Sequence, residues 1–255
     1  MAIGKEEYFR NDELKIYRGE DYIVSKHIKI HQPTLGEICD FGEQDYFLML
    51  YNLVSTPQSM KAQLWYEMGE IDYTKLTSFQ LFYMLLYHMF PQEKTQILFG
   101  DLDFTKFIPR AKEYGDIVLE QTIDGETVSF DEYTYNVVTD YLCKTHFIER
   151  DLKIPANDTT KMILIEDARE EQLRNKNKEY HSQLKNLISA MINSEGFKYN
   201  HSQVWNMKIN AFMDSVKRIG KIKNSDLLLQ SGYSGFGVNL KEVDKKQLDW
   251  FGELE

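Results

Sequence analysis

Apolar residues recur along most of this chain at spacings of three and four, the period of a helix with one buried face, and alternate in only two stretches. The first is N-terminal. Leu14 to Tyr17 and Tyr22 to Val24 flank Arg18, Gly19, Glu20 and Asp21, which supply turn chemistry. His27-Ile28-Lys29-Ile30-His31 then alternates polar with apolar until Pro33 ends it, so all three segments are expected as strands. The second stretch lies in the middle of the chain. Ile117 to Ile123 and Glu126 to Phe130 sit on either side of Asp124-Gly125, and a two-residue Asp-Gly between such runs predicts a β-hairpin.

The rest reads as helix. Thr34 caps a short helix through Phe41, with Glu37 completing a capping box. Gly42 separates it from Glu43 to Val54, where Tyr46, Phe47, Leu50, Tyr51 and Val54 form one stripe. Thr56-Pro57 predicts a helix start, running through Leu64 and Trp65 to Gly69. Another helix runs from Ser78 to Pro91, and Pro91 opens a short one through Ile97. Residues 101–115 give no clear pattern. Asp131 caps a helix through Cys143, and Thr159 to Asn193 reads as a long helical segment with a polar middle, Ala168 to His181. The last helix, Met207 to Leu229, places Ile209, Phe212, Met213, Val216, Ile219 and Ile222 on one face. Ser231 to Gly237, rich in glycine, is expected to terminate it, ahead of a polar tail with Leu248, Trp250 and Phe251.

These elements predict a mainly α chain with small β elements (α+β): a helical body, N-terminal β-strands and one inserted β-hairpin at about 117–130. The loop from Ile148 to Asp158 divides the pattern into a mixed part, residues 1–150, and a helical part, residues 151–255. The same pattern is compatible with a single domain.

The net charge of -10 opposes approach to phosphate, which argues against a nucleic-acid binder. Cys39 and Cys143 have no framework spacing and read as reduced thiols of a cytosolic protein. The N-terminus has no apolar signal core, and the most apolar run, Phe79 to Phe90, is too short to span a bilayer. A soluble protein of a bacterial cytoplasm is expected, away from membranes.

Several groupings invite a chemical reading. His27 and His31 share a strand face near Cys39, but a structural zinc site needs a fourth ligand, and solvent-facing histidines are the simpler account. Cys143 and His146 are close enough in sequence for a thiolate–imidazole pair, against which stands a core cysteine and a histidine at a helix C-terminus. Asp101 and Asp103 form an Asp-x-Asp pair that would hold a divalent ion, or else a turn pinned by aromatics. Glu37, Asp40, Glu43 and Asp45 gather around Gly42, where they stabilise two helix N-termini. Gly232, Gly235 and Gly237 follow a helix and lack the order of a dinucleotide fingerprint. No catalytic residue, metal or cofactor is therefore assigned. Lys208, Lys217, Arg218, Lys221 and Lys223 lie opposite the apolar stripe of the last helix, and self-association against acidic parts of another copy is one use for them.

Three blocks, Ile30 to Trp65, Ile97 to Phe107 and Asn206 to Glu253, resemble proteins of the tail-morphogenesis modules of phages and prophages of Gram-positive bacteria. Among these the tail assembly chaperones are the nearest fit. The resemblance implies a protein without enzymatic activity that binds the phage tape measure protein, keeps it soluble, and yields it to tail tube subunits in the host cytoplasm. The alternative is a minor tail or adaptor component retained in the virion. Side chains expected to meet a partner are Tyr46, Tyr51 and Trp65, then Phe212, Lys217, Arg218 and Lys221, then Tyr233, Phe236 and Trp250.

Overall fold

The computed structural model describes residues 13–112, 115–234 and 237–254. The chain begins with a helix, not a strand: α1 spans Glu13–Arg18. Arg18-Gly19-Glu20 read as a hairpin turn in sequence, but Gly19 (φ 83°) is instead the left-handed residue that closes α1. The amides of Gly19 and Glu20 donate back to the carbonyls of Ile16 (2.9 Å) and Lys15 (3.1 Å), the paired bonds that end a helix on glycine. Only Ile16 of α1 is buried, so a periodicity of one apolar contact could not separate helix from strand.

Strands β1 (Tyr22–Ile23) and β2 (Lys29–Ile30) pair antiparallel, shorter than the alternation suggests. Helix α2 (Leu35–Phe41) carries the expected capping box, with Thr34 accepting from the Glu37 amide and Glu37 accepting from the Thr34 amide. Gly42 then turns the chain into α3 (Glu43–Leu53). The buried side of α3 is Tyr46, Met49, Leu50 and Leu53, one step rotated from the stripe read in sequence, which leaves Tyr51 half exposed.

Thr56-Pro57 does not start a helix. Thr56 and Ser59 exchange side-chain and backbone hydrogen bonds in a turn, and α4 (Lys61–Tyr66) begins afterwards. Thr77 and Gln80 form a second capping box on α5 (Ser78–Leu81), which widens into a π turn at Phe82–Leu86 and tightens again at Tyr87–Met89. Helix α6 (Gln92–Phe99) follows Pro91.

The region that gave no pattern holds a strand. β3 (Ile108–Ala111) pairs with β4 (Ile117–Ile123), and β4 pairs with β5 (Glu126–Phe130), giving a three-stranded antiparallel sheet. All four residues of β3 are exposed, so no burial pattern marks it in sequence. The hairpin is as predicted: Asp124 and Gly125 both take positive φ (52° and 80°), the turn whose twist matches its strands.

Asp131 caps α7 (Glu132–His146), and the left-handed Phe147 ends it. The long helical segment breaks at its polar middle into α8 (Asp158–Asn175), capped by Asn157, and α9 (Gln183–Ile192), capped by Ser182. Last come α10 (Ile209–Tyr233) and a short α11 (Lys245–Leu248) inside the expected polar tail. No helix among the described residues is long and apolar enough to cross a membrane.

The core is aromatic. Phe104 is wholly buried and meets Phe82, Phe90, Phe99, Phe107 and Phe130 at ring-centroid separations of 5.0 to 6.3 Å. Edge-on and tilted contacts of this kind add to area burial through the ring quadrupoles. Asp103 seats that ring by capping the turn Phe104–Lys106. One buried cluster runs from Ile16 to Phe212 and so includes residues from both sides of the 148–158 loop. Within that loop Arg150 donates to the Val54 carbonyl (3.1 Å) and Thr139 hydroxyl (3.2 Å) and lies over the Tyr135 ring. Replacing Phe104 by alanine should cost about 3–5 kcal/mol in urea unfolding, whereas Tyr233→Ala, at an exposed site, should stay within about 0.5 kcal/mol.

Candidate interaction surface

The groupings read as chemistry in the sequence are taken apart by the fold. His27 and His31 do not share a site: His27 Nε2 lies 2.8 Å from Glu126, while His31 meets Asp21 (2.7 Å) and Glu37 (3.3 Å). Neither simply faces solvent, because both tie the N-terminal strands to neighbouring elements. Cys39 is exposed and apart from them. Asp103 spends one carboxylate oxygen on the amide and hydroxyl of Thr105 (3.0 and 2.6 Å), while Asp101 accepts from Gln92 (3.1 Å). Burial alone would raise the Asp103 carboxyl, but the Thr105 bonds and the Lys106 charge hold it below its ordinary value. Among the described residues no group of three or more His, Cys, Asp and Glu is placed to hold a metal ion.

Cys143 and His146 are one helical turn apart, yet His146 points into the core. Its Nε2 accepts the Tyr46 hydroxyl at 2.5 Å, and its Nδ1–H donates to the Leu142 carbonyl at 2.8 Å. Both ring nitrogens are thereby used: Nε2 holds α3 against α7, and Nδ1 bonds back within α7. Burial pushes the imidazole down to about 4, so it is neutral.

Of the side chains expected at a partner surface, Tyr46 and Phe212 are wholly buried. They are core residues, and that expectation is corrected: each sits on the inward face of its helix, where an aromatic stripe serves packing. Trp65 is half buried and packs on the core. Tyr51 is half exposed and stacks on Phe47. Tyr233 is 81% exposed and Trp250 47%, while Phe236 lies outside the described residues. Tyr233 and Trp250 are not neighbours. Trp250 sits beside Arg218, and 15 residues of α10 separate Arg218 from Tyr233, a rise of roughly 22 Å.

The basic face of α10 is occupied from within the chain. After Gly237 the backbone doubles back antiparallel to α10 as a strap. Arg218 donates to the carbonyls of Trp250 and Gly252 (both 2.7 Å), Lys221 to that of Glu253 (2.6 Å), and Ser225 to that of Leu248 (3.0 Å). Lys217 lies over the Phe147 ring and Lys223 reaches Ser194. Docking of this face on another copy therefore competes with contacts already made. α10 runs on to Tyr233 and so ends inside the glycine-rich segment that begins at Ser231, as expected, although Gly232 itself is still helical. Gly232 lies in the last turn of α10, where an added Cβ would collide with the Leu240 side chain, so its bare backbone is what admits the strap.

Residues missed in sequence are exposed apolar ones on helices: Leu48 on α3, Ile163 and Leu173 on α8, and Leu227 on α10. Beyond Ile165, α8 buries none of its residues, and neither does the segment to Ser182. The low amphipathicity of Ala168 to His181 was the available signal, since a helix polar on all sides has little to pack with. The surface carries open grooves, one of about 500 Å³ beside Glu37, Asp40 and Asp101 and one of about 300 Å³ between Tyr83, Lys112 and Tyr133.

Residues 175–255 match the YomV second domain. That family is phage-associated, which makes the chain consistent with a phage protein. The matched segment is about a third of the chain and takes in α9, α10 and α11. No curated protein and no solved structure matches the chain.

His146 gives a pH signature. Its folded-state value lies near 4 against about 6.5 unfolded, so the unfolded state binds more protons in between. Stability present above pH 6.5 should fall as pH drops toward 4, with about 2 kcal/mol lost by pH 5. Urea titrations at pH 7 and 5 check this: the drop should largely vanish in His146→Leu, and an unchanged drop in that variant would assign it elsewhere.

Proposed function

We propose that this chain is a phage protein that works by binding another protein, and that its partner is the tape measure protein during tail assembly. The match of residues 175–255 to a phage-associated family supports the phage assignment. The binding role and its partner rest on the resemblance of Ile30 to Trp65, Ile97 to Phe107 and Asn206 to Glu253 to tail-morphogenesis proteins.

The physical demands of such a role are specific. A long helical chain with apolar stripes aggregates until the tail tube encloses it, and a chaperone has to cover those stripes while keeping the complex dispersed. The acidic balance of this chain, -10 overall, supplies the dispersing charge. Apolar side chains left outside the core supply contact area, and α8 presents Ile163, Leu164 and Leu173 among charged neighbours. Release follows when tail tube subunits compete for the tape measure. The role is one of binding, without catalysis.

Co-expression with the tape measure protein of the same phage tests this. The soluble fraction of the tape measure should rise with the wild-type chain. It should fall back with Ile163→Glu plus Leu173→Glu, a pair at exposed positions that should leave the melting temperature nearly unchanged. Solubility indifferent to the chain would sink the chaperone reading. Recovery of the chain at stoichiometric copy number in purified particles would favour a retained tail or adaptor component.

A further inference from the structure

The strap is attached to α10 in an unusual way. Nothing between residues 237 and 254 is buried, and the strap's two large aromatics, Trp250 and Phe251, are 47% and 74% exposed. It contributes little to the core; near the helix end Leu240 packs on Gly232 and the Val238 amide donates to Ser231, and along the rest of the helix its hold is the set of hydrogen bonds from Arg218, Lys221 and Ser225. Every one of those bonds ends on a backbone carbonyl of the strap. Recognition through carbonyls is indifferent to the side chains of the bound segment, as it is where proteins capture extended peptides by their main chains.

Charge adds the selectivity that carbonyls lack. From Lys208 to Lys223 the helix has five basic side chains and one acidic. From Gly237 to Glu255 the strap has five acidic side chains and three basic, and the three basic ones all precede Leu248, which leaves the part beside Arg218 and Lys221 acidic. The helix face is thus a cationic ledge whose cis occupant is acidic, apolar at Leu248, and lightly held. Segments that bury little and lie at the surface are the ones that open at low cost.

We propose that the strap is a pseudo-ligand: the face of α10 formed by Arg218, Lys221 and Ser225 takes an acidic peptide segment of another protein in its place. The incoming segment presents main-chain carbonyls to Arg218 and Lys221 and an apolar side chain where Leu248 sits. The tethered strap sets a threshold, because an intramolecular competitor acts at a high effective concentration, of order millimolar for a short connection. This goes beyond the tape measure reading and stands without it, since the partner is defined by its charge and backbone.

The test uses the full chain and a fluorescein-labelled peptide of residues 240–255. Leu248→Asp puts a charge at the strap's half-buried anchor and lifts the strap. This variant should bind the labelled peptide at least tenfold more tightly than the unmodified chain. Adding Arg218→Ala and Lys221→Ala should weaken that binding at least tenfold, and raising salt from 50 to 500 mM should weaken it too. Failure of Leu248→Asp to bind, or binding indifferent to Arg218 and Lys221, would overturn the proposal. Dimerisation of the unmodified chain at the same concentrations, lost on replacing those two residues, would overturn it in favour of strap exchange between copies. Amide exchange of the unmodified chain gives a reading independent of how that variant folds. The bonded amides of Gln247, Asp249 and Gly252 should exchange at least tenfold faster than that of Phe212 in α10, and equal protection would make the strap a fixed part of the fold.

Discussion

A short antiparallel clasp between two distant stretches positions much of this molecule. The Leu35 amide donates to the Met207 carbonyl and the Ile209 amide to the Pro33 carbonyl, both at 2.9 Å, with Thr34 and Lys208 facing each other between them. Both stretches are also helix starts: Thr34 is the cap of α2 and Lys208 the cap position of α10. The orphan amides that any helix N-terminus leaves are therefore satisfied here partly by the opposite helix's lead-in. Two glycines make the approach possible. A Cβ at Gly36 would stand 3.1 Å from the Trp205 carbonyl oxygen, and one at Gly19 would stand 2.5 Å from the Lys208 side chain. Glu37 joins the same knot by capping Thr34, pairing with His31 and reaching Lys208 at 3.9 Å.

The clasp explains how a segment with a family relative of its own is held to the rest. Residues 175–255 contribute Leu184, Ile188, Met191, Val204, Ile209 and Phe212 to the common core. Beyond Phe212 the α10 stripe is only half buried, and past Ser225 the described residues bury nothing. Burial thus declines along the helix from an anchored end to a surface end. The strap covers the surface end through polar bonds. That gradient is what a binding element needs: rigid placement at one end and an openable face at the other.

Much of the architecture was legible because local chemistry and tertiary packing agree. The capping box at Thr34 and Glu37, the Asp124-Gly125 turn and the Asp131 cap each satisfy their own backbone groups, so they survive in any context. What was misread depends on partners far away in sequence. Gly19 looks alike as a hairpin turn and as a helix C-cap until Lys208 arrives beside it. β3 is wholly exposed and owes its existence to β4. Tyr46 and Phe212 look partner-facing in sequence because an aromatic on a helix carries no label of side. Their burial is decided by His146 in one case and by the core around Phe197 in the other. The basic stripe on α10 was visible, but its occupant was not, because carbonyl oxygens leave no trace in a sequence.

The clasp should open only when the whole chain unfolds. Native-state hydrogen exchange under increasing urea, read at the amides of Leu35 and Ile209, tests that most directly, because each reports one strand of the same contact. Both should exchange with a single opening free energy, equal to the global value and to that of amides within α7. If Leu35 and Ile209 open at a lower free energy while α7 stays protected, the clasp is peripheral and residues 175–255 detach as a unit of their own.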